Sequence, residues 1–158
     1  MIVVAGLSPA WQQVLVVDAL QPGAVNRSRE AYWCGSGKVL NVAVALHHLS
    51  GGAPGQTLTL STLGGPAYDA IECEFAAMGV PRRWVRTQSP TRVCTTIVDR
   101  ATRVATELVE NAGPVTHAEL AEFEDAFAEL AVFEHQFSVG AGFDFDAFDC
   151  DRLLVERQ

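Results

Sequence analysis

The chain has one lysine, Lys38, in Cys34-Gly35-Ser36-Gly37-Lys38-Val39-Leu40-Asn41, between a β-like stretch and a helical one. A glycine-rich turn that opens a helix presents unpaired backbone N–H groups and the positive end of the helix dipole. A lysine there adds a mobile point charge able to hold an anionic or hydroxylated ligand. The same residues also suit a capped surface helix with a solvated lysine, because short glycine motifs arise by chance.

The other reactive side chains point to less. Cys34, Cys73, Cys94 and Cys150 form no CxxC pair, which argues against a zinc site or redox dithiol and for buried free thiols. His47 and His48 are neighbours, so on a helix they diverge too far to chelate together, and they read as helix surface or boundary. The net charge is −8, unevenly spread. Residues 1–103 carry nine basic and six acidic side chains, whereas 104–158 carry two basic and thirteen acidic. An acidic total argues against nucleic-acid binding, which rests on phosphate neutralisation. The mildly basic first part suits a small anion.

The elements that position Lys38 follow from the pattern. Hydrophobic residues are 49% of the chain, enough for one packed domain. No apolar run reaches membrane-spanning length, and Met1-Ile2-Val3-Val4-Ala5 lacks the features of a signal peptide, so a cytoplasmic protein with no membrane partner is expected. Strands are expected at Ile2–Leu7, Val14–Val17, Arg29–Trp33, Leu58–Leu63 and Arg83–Val85. Val93–Asp99 and Val104–Val109 read as a hairpin. Helices are expected from Lys38 to Leu49, from Ala67 to Met78, and from Thr116, where Thr116-His117-Ala118-Glu119 forms a capping box. Strands alternating with helices imply a parallel sheet, and the extra β segments need a place outside it.

With those elements placed, the chain resembles the N-terminal half of the PfkB, or ribokinase-like, carbohydrate kinases, especially the 1-phosphofructokinase and tagatose-6-phosphate kinase branch. Leu7-Ser8-Pro9-Ala10 is similar to that branch's Leu-Asn-Pro-Ala. Pro22-Gly23-Ala24-Val25-Asn26-Arg27 is similar to Pro-Gly-Glu-Val-Asn-Arg, and Ser36–Ala43 to Gly-Gly-Lys-Gly-Ile-Asn-Val-Ala. Leu63-Gly64-Gly65, Thr91-Arg92 and Thr106-Glu107 before Gly113-Pro114 follow in order. The resemblance covers residues 1–130. It implies an incomplete three-layer α/β fold with a parallel sheet and a small β flap. It also implies substrate contacts at Gln12, Gly37, Lys38, Asn41 and Arg92, with Arg92 gripping a phosphate bidentately. The expected partner is a phosphosugar or sugar, and a homodimer through the flap is expected. Complete relatives use ATP and Mg²⁺.

The chain departs from this pattern in two places. Gln12 stands where the family carries an aspartate, and Ser36 and Val39 replace glycines, so the turn should reach positive φ less easily. After Leu130 the family would continue toward its nucleotide half and its Gly-Ala-Gly-Asp catalytic motif. Residues 131–158 are instead acidic and phenylalanine-rich. Val139-Gly140-Ala141-Gly142-Phe143-Asp144 echoes that motif with one residue inserted. The acidic spacing lacks the glycine and distal glutamate of a calcium loop. A shifted reading frame near residue 131 would account for the change. No catalytic or metal-ligating residue is therefore assigned, and no ATP or Mg²⁺ is expected on this chain alone. A kinase-derived domain and a non-catalytic ligand-binding or dimerising remnant both fit the sequence, and ATP turnover separates them.

Overall fold

The computed structural model describes residues 1–135. Ten elements follow one another along the chain: β1 (Ile2–Gly6), β2 (Ala10–Val17), β3 (Glu30–Ser36), α1 (Lys38–Leu49), β4 (Thr57–Gly64), α2 (Ala67–Met78), β5 (Arg82–Thr87), β6 (Arg92–Asp99), β7 (Val104–Val109) and α3 (His117–His135). They build two sheets, a body and a flap.

The body is a three-stranded sheet in the order β1-β4-β5, with both pairings parallel. Its central strand, Thr57-Leu58-Thr59-Leu60-Ser61-Thr62-Leu63-Gly64, is buried on both faces, as a parallel strand between helices must be. On one face Leu63 packs with Leu40 and Ala43 of α1 and Ile71 and Phe75 of α2. On the other, Leu60 and Val85 pack with Phe123 and Ala126 of α3. The expected three-layer α/β architecture with a parallel sheet is thus present. Among the described residues, no helix is long and apolar enough to cross a membrane.

Local chemistry sets the helix ends. Gly79 adopts left-handed φ 70° after α2 and returns its N–H to Ala76 O, which closes the helix. At the start of α3, Thr116 N–H donates to Glu119 Oε2 (2.7 Å) and Glu119 N–H donates to Thr116 Oγ1 (3.3 Å), the expected capping box. Glu119 Oε1 also accepts from Gln88 N–H (2.6 Å), so the cap ties α3 to the end of β5.

The flap is a four-stranded sheet in the order β3-β2-β6-β7. The β2–β6 pairing is parallel and the other two are antiparallel. The segments expected outside the parallel sheet are therefore in the flap, with two differences. β2 starts at Ala10 rather than Val14, and β3 runs on to Ser36. Gln12 and Gln13 do not break β2 because the neighbouring strand offers partners. Gln12 Nε2 donates to Thr96 Oγ1 (2.7 Å), and Thr95 Oγ1 donates to Gln13 Oε1 (3.5 Å).

Two expectations about reactive groups need correction. His47 is buried, not on the surface; only His48 is exposed. The α1 face that carries Ala43 also carries His47, one turn on, so the stripe packed on the sheet continues into the histidine. Of the three described cysteines, all expected to be buried, only Cys94 is; Cys34 is half-buried and Cys73 exposed, and all three are free thiols. Cys73 lies two positions from buried Ile71 on α2, and a step of two turns it away from the core face. Cys150 and the Asp144 segment lie outside the described residues.

Candidate functional site

The three roots of the flap meet in one row. Ala10 of β2 pairs with Ser36 of β3 on one side and with Arg92 of β6 on the other. Adjacent strands lie about 4.8 Å apart. The end of β3, which leads directly into α1, is therefore roughly 10 Å from the start of β6 across Ala10.

The turn into α1 is built on a single glycine. Gly37 has φ 91° and ψ 157°, a conformation open only to glycine. A Cβ there would come within 3.0 Å of Ser8 O and 3.2 Å of Pro9 Cα. The turn thus packs its backbone directly onto the link between β1 and β2. Ser36 and Val39 do not obstruct it, because neither has positive φ. Val39 is buried against Gly6, where a Cβ would sit 3.1 Å from Val39 Cβ. The glycine substitutions that seemed to threaten the turn are accommodated elsewhere.

The first turn of α1 has no side-chain cap and no acidic residue. A helix start with neither a side-chain cap nor a first-turn carboxylate suits an anion. Lys38 and Asn41 are exposed and three residues apart, so they share one side of this turn. Asn41 N–H closes the first helical bond, to Gly37 O (3.0 Å).

Gln12 and Arg92 lie on one face of the flap. Gln12 pairs with Cys94, and Ala10 with Arg92, so strand alternation puts both side chains on the side of Ala10. The Gln12 amide donates to Thr96 Oγ1 and Gln13 O, which commits its N–H groups within the flap. Its Oε1 is the atom that could accept a ligand hydroxyl. Cys34 shares this face, and burial, reinforced by Glu74, pushes its thiol up; it is a neutral group rather than a nucleophile.

Arg92 Nε is buried and lacks a hydrogen-bond partner among the described residues. A buried guanidinium N–H left unpaired is costly, and anions are its natural partners. Arg92 borders a cleft of about 370 Å³ between the flap root and the start of α2, lined also by Trp11, Ala67, Thr91, Glu110 and Asn111. Glu110 Oε2 accepts from Val93 N–H (2.8 Å), which fixes a carboxylate on the wall beside Arg92. Of the five residues named from the sequence, only Arg92 lines this cleft; Gln12, Gly37, Lys38 and Asn41 do not. Trp11, Glu110 and Asn111 went unnoticed in the sequence. For Trp11 the missed signal was β2 itself, which starts one residue earlier.

Among the described residues, no three carboxylate, histidine or cysteine side chains come together to hold a metal ion.

No protein-family model and no curated protein matches the chain. Solved structures do. Phosphofructokinase-2 from Escherichia coli in complex with fructose-6-phosphate superposes with a TM-score of 0.74 at 20% identity, over 81% of this chain and 41% of that one. A possible 1-phosphofructokinase from Thermotoga maritima gives a TM-score of 0.73 at 19% identity, over 83% of this chain and 41% of that one. Ribokinase from Thermotoga maritima gives 0.56 at 23% identity, over 69% and 35%. The chain therefore has part of the ribokinase-like fold, and spans about two fifths of the length of the phosphofructokinases it matches.

Proposed function

We propose that this chain is the sugar-binding half of a PfkB-like carbohydrate kinase, and that its ligand is a phosphosugar. Complete kinases of this kind transfer the ATP γ-phosphate to such a substrate. The observation that carries the reading is the row Ser36–Ala10–Arg92. It sets an uncapped helix start with the only lysine on one side of Ala10, and a guanidinium with an unpartnered buried Nε on the other. A phosphosugar offers an anion for one cation and hydroxyls for Asn41 and Gln12.

Titration calorimetry with fructose 6-phosphate, fructose 1-phosphate and tagatose 6-phosphate tests it. Lys38→Ala should weaken binding at least tenfold, about 1.4 kcal/mol. Unchanged affinity would remove Lys38 from the site. The 158-residue chain by itself should show no ATP turnover with these sugars, because phosphoryl transfer needs nucleotide, Mg²⁺ and a positioned base in line. Turnover abolished by Asp144→Asn would overturn that part of the proposal.

A second reading, a dimerising module, is favoured by the outer flap. Every residue of β7 is exposed, including Val104, Leu108 and Val109, and Tyr32 and Trp33 of β3 are exposed too. An apolar strand edge of this kind invites pairing with another chain. Light scattering at micromolar concentration should find a dimer, and a monomer at all concentrations would exclude it.

A further inference from the structure

The residue before Arg92 makes a reciprocal pair of bonds that reaches out of the flap. Thr91 N–H donates to Gly64 O (2.9 Å), and Gly64 N–H donates to Thr91 Oγ1 (3.0 Å). Gly64 is the buried last residue of β4, the central strand of the body. It allows backbone to approach backbone: a Cβ there would collide with Ser89 O and lie 2.6 Å from Thr87 O. The segment between β5 and β6 is pinned on its other side as well. Ser89 Oγ donates to Pro114 O (2.6 Å), and Thr87 Oγ1 donates to Ser89 O (2.8 Å). The point where β6 leaves the body is therefore fixed by Thr91, one residue from the guanidinium that borders the cleft.

We infer that Thr91 is a positioning residue for Arg92. The inference rests on the proposed phosphosugar site. A fork of N–H donors binds an anion well only when it is held in the right direction, and small misplacements lose much of the interaction. The Thr91 hydroxyl supplies that direction by locking the root of β6 to β4. Valine at this position would keep the β-branched shape and remove the acceptor, leaving Gly64 N–H unpaired.

The test is a double-mutant cycle with fructose 6-phosphate as the probe, read by calorimetry. Thr91→Val should weaken binding five- to tenfold, and Thr91→Ser, which keeps the hydroxyl, should stay within twofold of the parent chain. Arg92→Lys keeps a charge without the fork and should weaken binding at least tenfold. In the Arg92→Lys background, Thr91→Val should cost nothing further. An equal loss in both backgrounds would show that Thr91 acts only on the fold and overturns the inference, as would no loss from Thr91→Val alone. Unaffected binding by Arg92→Lys, or none by the parent chain, would instead bring down the phosphosugar site itself. If Thr91→Val melts below the assay temperature, Thr91→Ala replaces it in the cycle with the same expected and overturning results.

Discussion

The body and the flap are held by different forces. In the body, β4 is buried along nearly its whole length, and Leu60, Leu63, Ile71 and Phe75 have no exposure at all. In the flap, β7 is exposed throughout and only the last residues of β3 are even half-buried. Apolar burial stabilises the first. The second depends on strand pairing and on a few attachments at its root. These include the Trp11–Trp33 stack at 5.7 Å with Trp11 on the core, the Glu74 bond to Gly35 N–H, and the Thr91–Gly64 pair. A fully buried body with a lightly anchored flap leaves the proposed site residues where small energies can move them.

The largest expected effect breaks the body. Phe75 is fully buried between α1, α2 and Trp84, its ring 5.3 Å from the indole. Phe75→Ala should cost about 3–5 kcal/mol. In urea denaturation, flap and body should lose structure together, because Phe75 also lies against Gly35 at the flap root. A flap that stays ordered while the body melts would mean that it folds independently.

The next perturbation is confined to the root. Glu74 Oε2 accepts Gly35 N–H at 2.5 Å, a bond to a charged group. Such bonds are worth about 1.5–3 kcal/mol, and the partial exposure here favours the lower end. Glu74→Ala should speed amide exchange at Gly35 to Lys38 and leave β4 protected. Faster exchange in β4 as well would show that body and flap open as one unit.

Acid should act on both regions at once. Backbone N–H groups of Thr116 and Gln88 hold the Glu119 carboxyl below the usual range, and those of Leu20, Thr102 and Ala101 do the same for Asp99 at the flap tip. Arg82, with Trp84, lowers Glu72. A lowered folded value means stability that is complete above the unfolded value and lost as pH falls through the folded one. Unfolded carboxylates titrate at roughly 4. The Tm should therefore be level from pH 7 to about pH 5 and fall below about pH 4. In Asp99→Asn the flap should lose its share of that dependence while α3 keeps its own. A Tm that rises on acidification would contradict the assignment.

How much was legible in the sequence follows the same division. β4, α1, α2 and the start of α3 could be read because burial writes itself as apolar periodicity and caps as fixed residue spacings. The first half of β2 could not, because Gln12 and Gln13 satisfy their amides on Thr96 and Thr95, a pairing that no local pattern records. The turn at Gly37 was legible as a turn. That it tolerates Ser36 and Val39 was not, since the space for Val39 comes from Gly6, far away in sequence. Arg92 was named through its place in a family motif, and its unpartnered Nε is a fact of the fold. Glu110 and Asn111 look like ordinary loop residues until the flap root is assembled around them.

The smallest expected effect lies in the outer hairpin of the flap. Arg103 is the one non-glycine residue with positive φ among those described, at φ 60° in the turn between β6 and β7. A left-handed conformation costs a side chain with a Cβ about 1–2 kcal/mol, and glycine escapes it while losing more chain entropy on folding. The turn needs nothing else from Arg103, because Asp99 Oδ1 already accepts from Ala101 and Thr102 N–H at 2.9 and 3.1 Å. Arg103→Gly should therefore stabilise the hairpin, by about 0.5–1 kcal/mol net. The place where that gain appears is informative. If amides of β7 exchange more slowly while the urea midpoint stays fixed, the flap opens locally from an intact body. If the midpoint rises by the same free energy, the root attachments couple the two regions into one cooperative unit. A loss of stability would mean that the arginine side chain stabilises the turn by more than its backbone strain costs, and the strain argument would fail.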